Sequence, residues 1–350
     1  MTIPGTIPAP KASVIPTREA NPAALAGIGY YLPEEEITNA DLAEMVQTSD
    51  EWITSRTGIR SRRRADKKDA TSDLATRAAI GALSDAGMTP DQLDMILVAT
   101  VTPDCPVPGA ACVIQRKLGA VNAAAMDLNA GCTGFLYGLH IADAMRRSGA
   151  AKNILVIGAE TLTRVTDYTD RRTCILFGDG AGAAVVSGSG MFRVIDSRIG
   201  ADGTMADLIS IPAGGSLEPA SAETVAGNKH CLQLDGRRVF RQAVRRMAQA
   251  ARESLDATGL TADDVSWVIP HQANERIITA IGDDLGVPVP KVVLDLAETG
   301  NTSSASVPIA MARAREAGSF KPGDLLMLLA FGAGLTWACQ LLRVEDTDSN

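Results

Sequence analysis

The chain has 350 residues, a formal net charge of -8 at pH 7, 46% hydrophobic residues and 32 glycines. This length suits one large unit or two fused domains, and either option buries a sizeable core. The acidic balance and the lack of any apolar run near the ~20 residues that span a bilayer exclude nucleic-acid and membrane partners.

Residues 1–24 are rich in proline and have no apolar core of the kind that a signal peptide needs, so they predict a flexible N-terminal tail. The six cysteines are scattered along the chain without a CxxC pair. Their spacing argues against a zinc site and against a disulfide framework. We therefore expect a protein of the reducing cytoplasm that holds no metal.

Helical and strand patterns alternate in the first half of the chain. A helix is predicted over residues 71–85, a strand over 95–100, a helix over 133–147 and a strand over 153–158. The strands are short, continuous apolar runs, which is typical of strands buried on both faces. This order predicts the α/β class, with mixed sheets covered by helices.

Two pairs of segments indicate that the chain repeats itself. LSDAGMTPDQLDMILV and LDATGLTADDVSWVIP share a helix end, a glycine, a threonine that opens an acidic turn, and a strand. FGDGAGAAVV and FGAGLTWACQ are both glycine-rich segments that lead into a strand. Two copies of one α/β unit, packed about a pseudo-twofold axis, are therefore expected. The predicted boundaries are 25–190 for the N-terminal half and 191–350 for the C-terminal half, with a linker at about 187–235.

Cys132 lies between small residues in LNAGCTGF, where a strand gives way to a helix. A helix N-terminus favours thiolate over thiol, which predicts a pKa below the free value of ~8.5. Gly131 and Gly134 leave room for a substrate, and the local N–H groups can face a developing oxyanion. From position alone, a small buried hydrophobe stays open as the alternative.

Two polar residues of the second half join Cys132 as candidates. His271 in IPHQANERI directly follows a strand, at the edge where open α/β sheets place functional groups, although a histidine satisfied by backbone bonds is the alternative. Asn301 in ETGNTSSAS opens a helix, where capping is the simpler explanation, and Asn274 is a second candidate cap. Because the duplication brings Cys132 and Asn301 to nearly equivalent positions, we expect a thiolate, an imidazole and an amide donor to converge at the axis.

The segment FGDGAGAAVV lacks the Lys-Ser/Thr pair of a phosphate loop and precedes a strand rather than a helix. Its glycines predict tight strand packing instead of nucleotide binding. In FGAGLTW the same geometry would aim a backbone N–H towards Cys132.

Over about residues 25–343 the chain resembles the β-ketoacyl-acyl-carrier-protein synthase III family of thiolase-like condensing enzymes. The motifs that carry the resemblance are TSDEWITSRTGIRSRR, GAAC, LNAGCTGF, FGDGAGAAVV, IPHQANERII, GNTSSASVP and FGAGLTW, in that order. The resemblance implies a thiolase-like fold with five αβαβα layers, a homodimer, and a catalytic triad of Cys132, His271 and Asn301. It implies no cofactor besides the substrates acyl-CoA and malonyl-acyl-carrier protein.

The implied reaction is an acyl transfer followed by a decarboxylating Claisen condensation that initiates fatty-acid synthesis. Cys132 would take the acyl group from acyl-CoA, after which the malonyl group on the acyl carrier protein would lose CO₂ and attack the thioester. His271 and Asn301 would donate hydrogen bonds to the malonyl thioester oxygen. The N–H groups of Cys132 and Ala333 would hold the oxyanion, and Phe331 would shape the carbanion's approach.

The resemblance also assigns residues to coenzyme A. An indole and a guanidinium would enclose the adenine, and further residues would line the pantetheine tunnel. The adenine residues are Trp52 and Arg171, and the tunnel residues are Arg56, Gly236, Phe240 and Asn274. A core aromatic is the alternative for Trp52.

Two departures from the family pattern bear on specificity. Val107 stands in the dimer-crossing loop where many members carry a bulky Phe, which implies a starter pocket that admits more than acetyl. Basic residues beside the tunnel mouth, namely Arg241, Arg245 and Arg276, would meet the acidic carrier protein. The acidic pair at 283–284 stands where some members have lysines, which weakens that docking expectation.

Two alternatives stay open at this point, and a third is excluded. One is a related ketosynthase of a specialised, polyketide-type pathway that condenses or esterifies another acceptor. Another is a non-catalytic dimer partner, which would be expected to lack the nucleophile. A hydroxymethylglutaryl-CoA synthase would need an acidic base near the thiol, and no motif in the sequence supplies one.

Overall fold

The computed structural model describes Ser13–Val14 and residues 23–346. The strands are β1 Ser13–Val14, β2 Ala24–Tyr31, β3 Glu35–Thr38, β4 Ser61–Arg64, β5 Met95–Ala99, β6 Ala124–Leu128, β7 Ile154–Thr161, β8 Asp179–Ser187, β9 Phe192–Ala201, β10 Ile209–Ser210, β11 Gln233–Leu234, β12 Trp267–Pro270, β13 Leu325–Gly332 and β14 Thr336–Val344. The helices are α1 Asn39–Met45, α2 Asp50–Thr57, α3 Thr71–Asp85, α4 Ala110–Leu118, α5 Gly134–Ser148, α6 Ala222–Ala226, α7 Gly236–Thr258, α8 Glu275–Leu285 and α9 Ser306–Glu316.

The strands of the two halves follow one order. In the first half the order is β6-β5-β7-β8-β2, where β5 is parallel to β6 and β7 while β8 is antiparallel to β7 and β2. The second half repeats it as β12-β13-β14-β9, with a parallel bridge from Val268 to Val292 at the position of β6. Two residue pairs join β2 to β9. The prediction of two related halves with mixed sheets is confirmed.

The helices form three layers around the two groups of strands. α3 and α4 pack on the outer face of the first group, and α7 packs with α8 on the outer face of the second. α5 and α9 lie between the groups and contact strands of both. This arrangement is the five-layer αβαβα order that the resemblance implied. Within the described part of the chain, no helix is long and apolar enough to cross a membrane.

Most predicted elements lie within a residue or two of the observed ones. α3 covers the predicted 71–85, α5 begins one residue after the predicted start, and β5 ends one residue before the predicted end. β7 continues past the predicted end at 158 because β8 pairs with it as far as Thr161, opposite Asp179. The additional residues of β7 include Glu160, which becomes important at the active site.

The structure describes part of the predicted tail, and it contains a strand within the predicted linker. Ser13–Val14 pair with β9 and Ala24 begins β2, whereas the rest of the predicted tail, apart from Ala23, lies outside the described residues. The flexible tail, like the division at 190/191, therefore stays a prediction. Within the predicted linker at 187–235, β9 pairs along its length with β14 of the second half.

The glycine-rich segment at the start of β8 serves packing, as expected. Its Asp179 is fully buried and accepts hydrogen bonds from Ala65 N at 2.8 Å and from the backbone and hydroxyl of Thr163 at 2.9 and 2.7 Å. A Cβ added at Gly182 would lie 2.7 Å from Pro308 of α9. The glycine therefore lets the central helix approach the strand closely.

A buried arginine fixes the helix that carries Trp52. Arg62 is 1% exposed and donates to the carbonyl oxygens of Ile37 and Ile175 at 3.1 and 2.7 Å and to Asn39 Oδ1 at 2.9 Å. Asn39 in turn donates to Asp50 Oδ1 at the start of α2. Through Asn39 and Arg62, these bonds connect α2 to Ile175, in the segment that leads into the active-site cavity.

Candidate active site

The nucleophile turn Gly131–Thr133 is a 3-10 helix that links β6 to α5. Gly131 has a φ of 55°, and a Cβ added there would lie 2.8 Å from the backbone N of Ala333. A Cβ added at Gly332 would lie 2.6 Å from the backbone N of Cys132. Glycine at both positions allows the turn and the end of β13 to touch. The backbone nitrogens of Cys132 and Ala333 therefore both lie where the turn and the end of β13 meet.

The Cys132 thiol is not the activated thiolate that the sequence predicted. Burial raises its pKa to about 11, and a hydrogen bond with the Ser303 hydroxyl opposes that shift in part. The expectation of a lowered pKa is wrong because removal from water outweighs the helix N-terminus. The thiol is therefore protonated at neutral pH, and its acylation requires a proton to leave the sulfur.

His271 is 4% exposed and directly follows β12. Its Nδ1 lies 2.6 Å from the Ser306 hydroxyl, which also accepts the backbone N–H of Gln272 at 3.3 Å. A serine hydroxyl can donate or accept, so the tautomer that carries its proton on Nε2 pairs with a Ser306 proton directed at Nδ1. Burial lowers the pKa of His271 to about 4, so the imidazole is neutral at physiological pH. The ring is a neutral N–H donor.

The Asn301 side chain forms a local turn rather than the predicted helix cap, since Thr302 is the N-cap of the 3-10 helix Ser303–Ala305. Its Oδ1 accepts the backbone N–H of Ser303 at 2.8 Å, and its own backbone N–H donates to Leu176 O at 2.8 Å. The first bond fixes the amide orientation, since only the oxygen can accept. The donor end, Nδ2, is turned away from the Ser303 N–H.

Cys132, His271 and Asn301 line one cavity of about 160 Å³, together with Ser303 and Phe331. The two halves of the chain each contribute to this group, as the sequence predicted. The cavity wall is mainly apolar, with Leu162, Leu176, Phe177, Ile209, Leu232, Leu234, Val239, Phe240, Ala243 and Met247. Such a cavity suits a flexible substrate whose end carries a reactive carbonyl.

Three of the predicted coenzyme A residues, Gly236, Phe240 and Asn274, line the same cavity. Asn274 also caps α8 by accepting the Arg276 N–H at 2.9 Å, and its Nδ2 donates to Arg56 O at 3.1 Å. It is therefore both a cap and a lining residue. Its position ties α8 to α2.

Trp52, Arg56 and Arg171 form a separate stack. The guanidinium carbons of Arg56 and Arg171 lie 4.7 and 5.0 Å from the centroid of the Trp52 ring. Trp52 is half-buried rather than a core aromatic. A flat base that stacks on this indole would have to displace a guanidinium, which the sequence could not show.

The remaining predicted residues lie at the surface. Arg241 and Arg245 are exposed one helical turn apart on α7, and Arg276 is exposed on α8, where it donates to Ser55 O at 2.9 Å. Arg237, one turn before Arg241, extends the same row and was missed by the sequence analysis. Val107 is 84% exposed in the loop between β5 and α4.

Sequence reasoning missed three further residues at the cavity. Ser303 contacts the thiol, Ser306 contacts His271, and the buried Glu160 approaches the thiol from β7. The repeated serines of NTSSAS were the available signal for the first two, whereas nothing in GAET marked Glu160. An acidic group near the thiol is therefore present, contrary to what the motifs indicated.

Two family models match the chain. 3-Oxoacyl-[acyl-carrier-protein] synthase III matches residues 126–203, and the C-terminal model of that synthase matches residues 255–344. The first match contains Cys132, and the second contains His271 and Asn301. Both sides of the cavity thus fall within the matched segments.

Known sequences and solved structures are similar to this chain over nearly its whole length. It is 52% identical over 325 residues to β-ketoacyl-[acyl-carrier-protein] synthase III of Caldanaerobacter subterraneus subsp. tengcongensis, which covers 92% of this chain and 97% of that protein. It matches the structure of 3-oxoacyl-[acyl-carrier-protein] synthase III from Aquifex aeolicus with a TM-score of 0.85 and 44% identity, covering 92% of this chain and 99% of that one. The priming β-ketosynthase of the R1128 polyketide pathway matches with a TM-score of 0.85 and 38% identity, covering 95% and 99%. The thiolase-like fold is confirmed, and the chain belongs to the β-ketoacyl-[acyl-carrier-protein] synthase III family.

Proposed function

We propose that this protein is a β-ketoacyl-acyl-carrier-protein synthase III, an acyltransferase that initiates fatty-acid synthesis. It transfers an acyl group from acyl-CoA to Cys132 and condenses that group with malonyl-acyl-carrier protein. The observation that carries the proposal is the meeting of one thiol and two neutral side-chain donors in a single apolar cavity. No cofactor is needed besides these substrates, and the six free cysteines suit the cytoplasm.

In the first step, the Cys132 sulfur attacks the acyl carbon and coenzyme A departs as the thiol. The carbonyl oxygen becomes an oxyanion, which the backbone N–H groups of Cys132 and Ala333 stabilise. Each such donor contributes about 3 kcal/mol in comparable enzymes. Covalent capture divides one three-component reaction into two simpler ones.

In the second step, the malonyl thioester loses CO₂ and its C2 carbon attacks the acyl carbon, which breaks the thioester bond to Cys132 and leaves the sulfur as a thiolate that takes up one proton. The negative charge that develops on the malonyl thioester oxygen is held by His271 Nε2–H and Asn301 Nδ2–H. Both donors are neutral, so neither gives up its proton to the enolate. Each therefore keeps its hydrogen bond to the oxygen. Phe331, 3% exposed beside the thiol, restricts the direction from which the carbanion approaches.

Substrates reach the thiol along the apolar channel. The pantetheine arm would lie against Arg56, Gly236, Phe240 and Asn274, and the adenine would lie between Trp52 and Arg171 after a guanidinium moves off the indole. The acidic carrier protein would dock on Arg241, Arg245 and Arg276, since a row of exposed guanidinium groups attracts phosphate and carboxylate. Arg237 continues this row towards the channel.

A homodimer is proposed from the edge of the first group of strands. β6 pairs with β5 on one side, and its Met126 is 40% exposed. An apolar edge strand is a template for a second copy of itself. We expect Met126→Lys to convert a dimer to a monomer in analytical ultracentrifugation, while Ile80→Lys on the outer helix α3 leaves the dimer intact. A monomeric wild-type protein at all concentrations would contradict the proposal.

Val107 is proposed to line the acyl pocket of the partner subunit in that dimer. Replacing Val107 by Phe is expected to reduce the rate with a branched or six-carbon acyl-CoA, relative to acetyl-CoA, by about 10-fold, since a pocket distinguishes one methylene by that order. The measurement is the initial rate with each acyl-CoA. Val289→Phe, at an exposed site of the second half, serves as the control. An unchanged chain-length preference in Val107→Phe would remove Val107 from the pocket.

A ketosynthase of a specialised pathway is the second candidate, and the similarity to the R1128 priming β-ketosynthase favours it. The two candidates share the acylation of Cys132 and differ in the acceptor. The test of the shared step is intact-mass analysis after incubation with a panel of acyl-CoAs, followed by peptide mapping. An acyl adduct on the Cys132 peptide supports the proposal, and no adduct with any acyl-CoA rejects it.

A further inference from the structure

Two buried threonines join the halves of the chain next to the nucleophile. Thr133 directly follows Cys132 in the nucleophile turn, and Thr336 begins β14, three residues after Ala333. Thr133 is 0% exposed and Thr336 is 8% exposed. Within the described part of the chain, neither threonine lines the active-site cavity, and the proposed mechanism uses neither.

The two hydroxyl groups contact each other and two backbone carbonyls. Thr133 Oγ1 lies 2.9 Å from Thr336 Oγ1 and 2.6 Å from Ala130 O. Thr336 Oγ1 lies 3.0 Å from Ala130 O and 2.9 Å from Ala333 O. Two hydroxyl oxygens at 2.9 Å share a proton. Whichever threonine supplies that proton, the bond joins the nucleophile turn to the loop between β13 and β14.

The threonines flank the two N–H groups that would hold the oxyanion. The Cys132 N–H belongs to the nucleophile turn of the first half, and the Ala333 N–H belongs to the loop of the second half. Among the described residues, none accepts the Ala333 N–H, so this donor is available to a substrate oxygen. An oxyanion is stabilised fully only when both donors point at the position that it occupies.

The hydrogen bonds between the turn and the loop depend on these two side chains. Gly131 and Gly332 let the two backbones touch, but a glycine has no side chain that could hold them in place. Over the residues that the structure describes, every hydrogen bond from residues 130–133 to residues 332–336 involves a threonine hydroxyl. The position of one N–H relative to the other therefore depends on the threonine pair.

We propose that Thr133 and Thr336 are positioning residues of the oxyanion hole, because they fix the N–H groups of Cys132 and Ala333 relative to each other. The proposal rests on the proposed function, since the oxyanion forms only if Cys132 accepts an acyl group. Neither threonine touches the substrate, and each acts through the backbone beside it. A displacement of about 1 Å in such a group reduces a reaction rate by about 10²-fold.

The threonine pair should affect acyl transfer and leave the reactivity of the thiol itself unchanged. In acylation the Cys132 sulfur adds to a carbonyl carbon, and the carbonyl oxygen becomes the oxyanion. Alkylation by iodoacetamide forms the S–C bond at a CH₂ carbon while iodide leaves and the thiol proton goes to the solvent, so no oxyanion arises. A displaced oxyanion hole thus slows only the first reaction, whereas a distorted nucleophile turn slows both.

The test compares Thr133→Val and Thr336→Val, which keep the shape of the side chain and remove its hydroxyl group. Single-turnover acylation by acyl-CoA, measured by rapid quench and intact mass, should fall by about 10-fold or more in each variant. The rate at which iodoacetamide alkylates Cys132 should stay at the wild-type value. Thr133→Ser and Thr336→Ser retain the hydroxyl and should recover most of the acylation rate. Because the two hydroxyls share one bond, the double valine variant should be little slower than the slower single variant.

Thr258→Val is the matched control. This half-buried threonine ends α7, and its hydroxyl lies 2.9 Å from Ser254 O and 3.0 Å from Leu255 O. Its removal should leave acylation and alkylation at the wild-type rates. Wild-type acylation in either Thr133→Val or Thr336→Val, or an equal fall of acylation and alkylation, overturns this proposal and leaves the proposed function standing. Wild type that iodoacetamide alkylates on Cys132, but that forms no adduct with any acyl-CoA, overturns the proposed function and this proposal with it.

Discussion

Replacing Cys132 by Ala is expected to abolish acyl transfer, because the thiol is the atom that carries the acyl group between the two substrates. In intact-mass analysis, the variant should show no acyl adduct under conditions that fully acylate wild type. Condensation should fall to the level of the uncatalysed reaction, since no covalent intermediate can form. The expected loss is at least about 10³-fold, as for removal of other enzyme nucleophiles.

The matched control is Cys112→Ser, which removes an exposed thiol outside the cavity. It should retain both the adduct and the activity. An adduct of wild-type yield on Cys132→Ala would show that another residue carries the acyl group. Loss of the adduct from Cys112→Ser, with Cys132 intact, would contradict the assignment in the same way.

Replacing His271 by Ala should separate the two halves of the reaction. Acylation of Cys132 should continue, because the oxyanion of that step is held by backbone N–H groups. Discharge by malonyl-carrier protein should fall by about 10²- to 10³-fold, the cost of removing one preorganised donor to a developing oxyanion. Rapid-quench measurement of acyl-enzyme formation and decay follows each step separately. Equal loss in both steps would contradict the assignment.

The pH dependence of the second step follows from the same residue. Burial lowers the pKa of His271 to about 4, so the ring is neutral above roughly pH 5 and becomes charged only as the pH falls towards 4. The discharge rate should therefore show no titration of His271 between pH 6 and 8. A sigmoidal change centred near pH 6.5 that is lost in His271→Ala would show that the histidine retains its ordinary pKa.

The hydrogen bond between Ser306 and the His271 ring concerns the same donor. Ser306, at the start of α9, is the side chain that contacts His271 Nδ1, and it is 2% exposed. In the tautomer that the proposed mechanism uses, this hydroxyl donates to Nδ1 and the ring proton lies on Nε2, which faces the substrate. Removing a tautomer-setting partner leaves the ring in place but lets the wrong nitrogen carry the proton.

The sequence predicted Cys132, His271 and Asn301 because each stands at the junction of a strand with a turn or helix, and the internal repeat related two of them. Short apolar runs that alternate with amphipathic helices also predicted mixed sheets covered by helices, whereas the five-layer order was implied by the family resemblance. The sequence could not predict that Glu160 would meet Ser304, because that contact depends on how the end of β7 in one half packs against the other half.

The error on the Cys132 pKa has a related origin. The helix N-terminus is visible in a sequence, whereas the depth of burial depends on side chains from both halves. Likewise the family resemblance implied that Trp52 and Arg171 enclose a base, but not that Arg56 and Arg171 both contact the Trp52 ring in its absence. The residue types of the site were therefore predictable from the sequence, whereas the extent to which the fold excludes water from them was not.

The most direct test of the central claim uses isolated acyl-enzyme. The wild-type protein is acylated, freed of acyl-CoA by desalting, and mixed with malonyl-acyl-carrier protein. The masses of both proteins are then measured by intact-mass spectrometry. The predicted result is free Cys132 together with a carrier that has lost CO₂ and gained the acyl group as a β-ketoacyl chain. An acyl-enzyme that persists while the malonyl-carrier stays unchanged would contradict the account.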